Sequence, residues 1–451
     1  MRTYGYDYAF AVSVDEVNKI LTDNLKNVDL QIVYNGSDPQ SGSTIHLAAT
    51  MAPWQIIKGG QNSLLRFAMP FLSGQLTIQG PLAGQYDLTR VSVLVEVTLG
   101  WLGTSDTQET QGSGGLTQLV FSPTGTQDSS QSGYVAVVTI LDPDKHLDTV
   151  ATGLLRSYTA AILVENRAKI NYIFADVFPK PSGVSSWLTP YKWIYFYATG
   201  ATYDALCFLC QLSDKPWPTN PAFDSSALMP GNNAVILISQ ASFFDQVVLP
   251  AIRKAFPGGT FSLTVQADES CIISNSGDFS VATSAGTITA NSFKLTTSDS
   301  GNGLKTIASG GGPLKFFFGL GNLPDASYSW SCQNTNALQF ANNNVTFLSD
   351  PQPVTHHDQT IYWYDWVILV AVGITSLPGL ISVIVDSIND FSDGVNNVGI
   401  GNINANLGGA VSGSVVNLAN LVNWSTKDAQ HFSATAAGLN GVLYVYGNLN
   451  Q

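Results

Sequence analysis

The sequence predicts an α+β chain in which amphipathic helices lie on antiparallel, curved β-sheets. Three observations carry this. A capped helix signal spans residues 14–28, alternating β segments fill the next hundred residues, and helical crossovers are missing between most of those segments. A parallel pair needs a crossover of a dozen or more residues, usually helical, so their absence favours antiparallel pairing.

The first helix has the clearest signal. Ser13 is placed to cap it, and Glu16 occupies the reciprocal position of a capping box. Val12 and Val17 are spaced as a hydrophobic staple. Val14, Val17, Leu21, Leu25 and Val28 then recur at helical spacing. The plain reading of that stripe is core packed on a sheet.

Short strands follow at 30–34, 43–47 and 76–79. The run VSVLVEVTL at 91–99 puts Val91, Val93, Val95, Val97 and Leu99 on one side, as in a half-solvated strand. Residues 104–115 read as a polar loop, and 134–141 as a strand. A second helix is expected over 152–165, with Leu155, Tyr158 and Ile162 on one face, then a strand over 169–177. A third helix begins at Ser242, buries Phe244, Val248 and Ile252, and is kinked or divided at Pro250, which lacks a donor.

Residues 259–344 read as short polar β segments, with FFFGLG at 316–321 as sheet core. The apolar run 361–385 is long enough to span a membrane. Asp365, Ser376, Pro378 and Gly379 interrupt it, and no basic flank follows, so helices broken near Pro378 are expected instead of a permanent span. Residues 395–422 suit a close-packed helix hairpin or a flap, and 431–447 a closing strand. The chain therefore reads as one module over 1–451. Helix-wrapped curved sheets occupy 1–258, a β-rich segment 259–350, an apolar then Gly/Asn-rich helical segment 351–430, and the closing strand 431–451.

Composition narrows the function. Hydrophobic residues make up 45% of the chain, enough for a large core, while only 11% are charged. Hydroxyls and amides must therefore solvate the surface. The net charge of −13, with no basic block, argues against nucleic-acid binding and against capture by an anionic membrane. The first residues, MRTYGYDYAF, lack the pattern of a secretory signal. Synthesis and folding in the cytoplasm are expected, with any release by a non-classical route.

Catalytic chemistry finds no foothold. The four cysteines do not make a disulfide framework, and Cys207 and Cys210, inside ALCFLC, read as core. His356, His357 and Asp358 read as a polar loop. Asp142, Asp144, Lys145, His146 and Asp148 suit a turn and helix start, because the regular ligand spacing of a calcium loop is missing. No nucleophile elbow, zincin, Walker or dinucleotide fingerprint is present. No catalytic, cofactor or metal residue is expected, and the chain reads as a non-enzyme.

Four segments carry a family resemblance: TYGYDYAFAVSVDEVNKIL at 3–21, INYIFADV at 170–177, WLTP at 187–190 and FSATAAGLNGVLYVYG at 432–447. Together they resemble the clostridial P47 and OrfX-like proteins, which are encoded beside botulinum-type or related insecticidal toxins. The resemblance implies the tubular lipid-binding (TULIP) superfamily: an elongated fold of long helices on highly curved sheets, with an apolar lining for acyl chains. It thus implies a lipid- or hydrophobic-ligand-binding protein. Burial of each methylene would contribute roughly 0.8 kcal/mol.

Val14, Val17, Leu21 and Leu25, then Phe244, Val248 and Ile252, are the groove candidates. Two alternatives stand beside this. The chain is a toxin-complex scaffold with a collapsed groove, whose partners are P47/OrfX-type proteins or the toxin. Or it attaches conditionally to membrane through Trp363, Trp366, Ile368 and Leu369. Within the second segment, Tyr172 and Phe174 share one strand face, and Ile173 and Ala175 the other, which suggests a strand covered on both sides.

Overall fold

The computed structural model describes every residue except 27, 104–116, 171, 178–185, 285, 316–321, 343, 361–376, 409–421, 424–430 and 451. The expected polar loop at 104–115, the FFFGLG run and most of the apolar run lie outside the described residues.

The chain divides into two compact units. The larger comprises Tyr8–Ile236, Val415–Thr435 and Tyr446–Gln451, and the smaller Met1–Asp7, Leu237–Ser414 and Ala436–Val445.

The described residues form four sheets. A six-stranded one runs in the order Lys192–Ala198, Ala205–Gln211, Tyr8–Ser13, Ala234–Ser239, Val442–Asn450, His431–Leu439. A seven-stranded one runs Val135–Leu141, Ser92–Thr98, Leu64–Gln79, Ser43–Met51, Gln31–Asp38, with Gln55–Gln61 and Gly84–Asp87 also on Leu64–Gln79. A four-stranded one holds Val422–Asn423, Tyr172–Val177, Thr117–Phe121 and Gly100–Gly103. An eight-stranded one centres on Gly303–Lys315 and the 20-residue strand Asn322–Ala341.

Two expectations need correction here. Each sheet is an open path, and none is closed or strongly curled. Nor are the helices long: the longest described have 17 residues, roughly 25 Å. Alternation in a sequence fixes which side chains share a face. Curl is summed from stagger, bulges and twist across several strands, so alternation leaves it open.

In the larger unit the alternation reads well. Leu65, Phe67 and Met69 pair with Val97, Val95 and Val93, and all six are buried. Ser92, Leu94 and Glu96 take the half-solvated face, as expected, but Thr98, expected on that face too, is buried. The strands Tyr8–Ser13 and Ala205–Gln211 are buried at every residue and pair antiparallel from Tyr8↔Cys210 to Ser13↔Ala205. The expected strand over 169–177 is confined to Tyr172–Val177, because Arg167–Ile170 makes a helical turn. A register shift between Ile173 and Ala175 interrupts its pairing with Thr117–Phe121.

In the smaller unit the polar segments are not short. Gly286–Thr297, Gly303–Lys315 and Asn322–Ala341 run 12, 13 and 20 residues. Helices Leu377–Asp393 and Ile400–Gly408, joined by a π-helical turn at Gly394–Gly399, cover one face. Pro378 falls at the start of the first, where a missing N–H costs no helical bond. The expected closing strand is two strands, His431–Leu439 and Val442–Asn450.

Candidate functional site

The groove candidates sit on two helical runs, one in each unit. In the larger unit the helix is Val14–Leu25, ending three residues before the expected Val28. Ser13 Oγ accepts from Glu16 N at 3.2 Å, as the cap signal predicted. The reciprocal half of the capping box is replaced: Glu16 Oε2 accepts from Lys19 Nζ at 2.9 Å, while Ser13 N donates to Asn233 O. Val14 is 8% exposed and Val17, Leu21 and Leu25 no more than 2%. The helix packs on Gln55–Gln61, Tyr8–Ser13 and Ala205–Gln211. Asn18, mid-helix, fastens it to Ile56 on the first of these strands.

In the smaller unit the run begins at Gln240, capped by Ser239 Oγ accepting from Ser242 N at 3.1 Å. The expected start at Ser242 is therefore late; that serine instead donates to Asp7 Oδ1 at 2.9 Å. A π-helical turn spans Phe244–Val248, and Leu249–Ala255 resumes as α-helix with Pro250 in its first turn. The break at Pro250 is thus absorbed by a wider turn just before it. Asn406 Nδ2 donates to Val247 O at 3.1 Å within this interrupted stretch. Phe244, Val248 and Ile252 are each 0% exposed.

Side chains fill the space where this run meets its sheet. Phe256 stacks on Phe391 with centroids 5.1 Å apart, and Trp330 lies 4.9 Å from Phe391. Phe261 meets Phe279 at 5.2 Å and Phe293 at 5.1 Å, both edge-on. Beside the rings runs a buried seam of amides. Asn334 Nδ2 donates to Ser392 Oγ at 2.9 Å, Asn336 Nδ2 to Asn396 Oδ1 at 2.8 Å, and Asp350 N to Asn396 Oδ1 at 2.9 Å. Sequence reasoning missed both features. The available signal was Asn334 and Asn336 two residues apart on one strand face, with Asn396 and Asn404 in the helical segment.

The larger unit holds an open cavity of about 240 Å³. Its polar lining is Asn62, Ser63, Thr98, Ser130 and Ser132 around Tyr195, with no acidic or basic side chain among the described residues. Tyr195 donates to Ser63 O at 2.6 Å and accepts from Leu99 N at 2.8 Å. Burial pushes its phenol above the ordinary range, so it stays neutral.

The reactive residue types are placed for structure. All four cysteines are buried and unbridged. Burial holds Cys207 well above the usual thiol range and pushes Cys271 and Cys332 up to about 12. A protonated thiol is a poor nucleophile and a poor metal ligand. His356, His357 and Asp358 lie exposed on a strand, Val354–Thr360, not in the expected loop; His357 pairs with Trp330 and His356 with Ser331. Alternation was hidden there because both faces of that strand are polar. Asp142 and Asp148 organise a turn and helix start, as expected: Asp142 Oδ2 accepts from Leu147 N and Asp148 Oδ1 from Ala151 N, both at 2.8 Å. Among the described residues, no group of His, Cys, Asp or Glu is arranged to hold a metal ion. Among them too, no helix is long and apolar enough to cross a membrane. The contact candidates Trp363, Trp366, Ile368 and Leu369 lie outside the described residues.

Comparison with known proteins places this arrangement. A family model described as Protein OrfX2/OrfX3/P47 matches residues 3–301. Protein P47 of Clostridium botulinum (strain Kyoto / Type A2) is 21% identical over 252 residues, which are 55% of this chain and 56% of that relative. The chain thus aligns with little more than half the length of that curated relative. Among solved structures, P47 from Clostridium botulinum A2 superposes with a TM-score of 0.71 at 18% identity, over 99% of this chain and 98% of that one. P47 of Clostridium botulinum E1 gives 0.70 at 19% identity, over 99% and 100%. At these identities the likeness is one of fold.

Proposed function

This chain belongs to the OrfX-like family, whose model covers OrfX2, OrfX3 and P47 proteins, and on that premise we propose that it is a non-enzymatic toxin-cluster accessory protein that acts by binding other proteins. Its partners are proteins of the same family or the toxin itself. The supporting observation is the filled helix–sheet space. Val17, Leu21 and Leu25 in one unit, and Phe244, Val248 and Ile252 in the other, are already buried against protein, and the rings of Phe256, Phe261, Phe293 and Phe391 pack on one another beside the second run.

Hydrophobic-ligand binding is the second reading, and the cavity beside Tyr195 is its geometric support. At about 240 Å³ it falls below the roughly 300–1,000 Å³ of ligand pockets, and hydroxyls and one amide share its lining with Leu99, Ile194, Phe196 and Pro221.

The test purifies the whole chain without detergent, extracts it with organic solvent and quantifies acyl lipid by mass spectrometry. In parallel, size exclusion with light scattering follows mixtures with purified OrfX- and P47-type proteins. The expected result is no stoichiometric lipid and a saturable protein complex. One lipid per chain with no protein complex would replace this reading by a carrier role.

A further inference from the structure

Three helical elements each end an open sheet edge in the same way. Asn18, in helix Val14–Leu25, donates from Nδ2 to Ile56 O at 2.8 Å and accepts at Oδ1 from Ile56 N at 2.7 Å. Asn166, closing helix Thr149–Glu165, does the same to Val33, at 2.8 and 3.0 Å. Asn404, in helix Ile400–Gly408, does it to Phe347, at 2.8 and 2.7 Å. In each case one carboxamide satisfies both backbone groups of a single residue, as a neighbouring strand would.

The three targets share a topology. Gln55–Gln61 pairs only with Leu64–Gln79, Gln31–Asp38 ends the seven-stranded path, and Asn344–Phe347 ends the eight-stranded path, among the described residues. Each target residue therefore sits on a strand with one paired side and one outward side. An outward N–H and C=O pair is a template for strand addition. Asparagine is also a poor helix former, so Asn18 and Asn404 are placed against local preference. That contrast points to a role outside the helix itself.

We propose that Asn18, Asn166 and Asn404 are edge locks: each carboxamide docks its helix in one register and denies that strand edge to a second copy of this chain. The geometry demands both an acceptor and a donor on one short side chain. Aspartate is the diagnostic replacement. Its carboxylic acid carries a donor and an acceptor in the same shape, whereas its carboxylate sets an oxygen against the target carbonyl.

The test compares the unaltered chain with Asn404→Ala and Asn404→Asp in urea unfolding from pH 7 down to pH 4.5. Asn166→Ala and Asn166→Asp form a second pair, because Val33 is more exposed than Phe347 and tolerates disruption better. At pH 7 the Asn404 variants should lose on the order of tenfold to a hundredfold in folding equilibrium constant, the cost of an unsatisfied buried group, and the Asn166 variants less. The carboxyl should be harder to ionise in the folded state than in the unfolded one. Its stabilisation is then full below the unfolded value, about 3.9, and is lost as pH rises through the folded value. The aspartate variants should therefore recover relative to the alanine variants as pH falls, and that difference cancels other titrating groups common to both. Equal loss by alanine and aspartate at every pH, or no loss at pH 7, would overturn the two-point clasp. Light scattering at rising concentration reads the other half. The alanine variants should self-associate at concentrations where the unaltered chain does not, and association unchanged from the unaltered chain would overturn denial of the edge.

Discussion

The first helix of the larger unit and the helical runs of the smaller one cover their sheets by different means. Val14–Leu25 is regular, capped by Ser13, and opens with Asp15 and Glu16 at its positive end. It buries an aliphatic stripe. The runs of the smaller unit are interrupted by π-helical turns at Phe244–Val248 and Gly394–Gly399. They meet their sheet through rings and amides. Aliphatic burial is tolerant, since any well-filling apolar shape contributes. Ring stacking and amide pairing depend on geometry, and an amide that loses its partner costs more than it contributed. The smaller unit should therefore be the more brittle of the two.

The largest expected effect is that of Phe391→Ala. Phe391 stacks on Phe256 and meets Trp330, and its removal should cost about 3–5 kcal/mol in denaturant unfolding. A loss below ~1 kcal/mol would mean that the cluster is compliant and that the proposed brittleness is wrong. Next is Asn336→Ala, which strips Asn396 Oδ1 and Leu348 O of a donor. About 1–3 kcal/mol should be lost, with faster proteolysis confined to the smaller unit. Cleavage spread evenly over both units would erase the contrast.

Ser13→Ala should cost about 1 kcal/mol, read as lost helical dichroism and a lower unfolding midpoint. If it matches Phe391→Ala in size, the larger unit is the more fragile one. The smallest effect is an acid titration. The backbone N–H of Ala151, then the hydroxyl of Tyr86, hold Asp148 below the ordinary carboxylate range. Its contribution is present above the unfolded value and fades as pH falls through the folded one. NMR should place this carboxyl below a reference near ~3.9; a value at or above that reference would remove the cap from the account.

The same contrast explains what could be read in the sequence. The Ser13 cap, the stripe at Val17, Leu21 and Leu25, and the alternation at Val93, Val95 and Val97 follow one rule each, and each was legible. The amide seam was not. Asn334 and Asn336 are fully buried, yet their residue type signals surface or turn. Partners some 60 residues away, Ser392 and Asn396, help to make that burial tolerable. The π-helical turn before Pro250 was half legible, since proline announces a break but not how the backbone absorbs it. Sheet curl was not legible at all. The apolar stripes were legible as buried faces. The rings beyond them were missed, because Phe256, Phe293 and Phe391 converge from three separate segments.

Tyr8 lies opposite Cys210 and Ser13 opposite Ala205, so the first strand waits long for its neighbour during synthesis. At about 5–20 residues per second, a ribosome needs roughly 10–40 s to make the partner of a strand whose six residues all end up buried. During that interval YAFAVS has no native neighbour to pair with. A nascent chain with a waiting hydrophobic strand is a substrate for holding chaperones at the ribosome, and yield in a heterologous host should respond to slower synthesis at low temperature more than to any change at the surface.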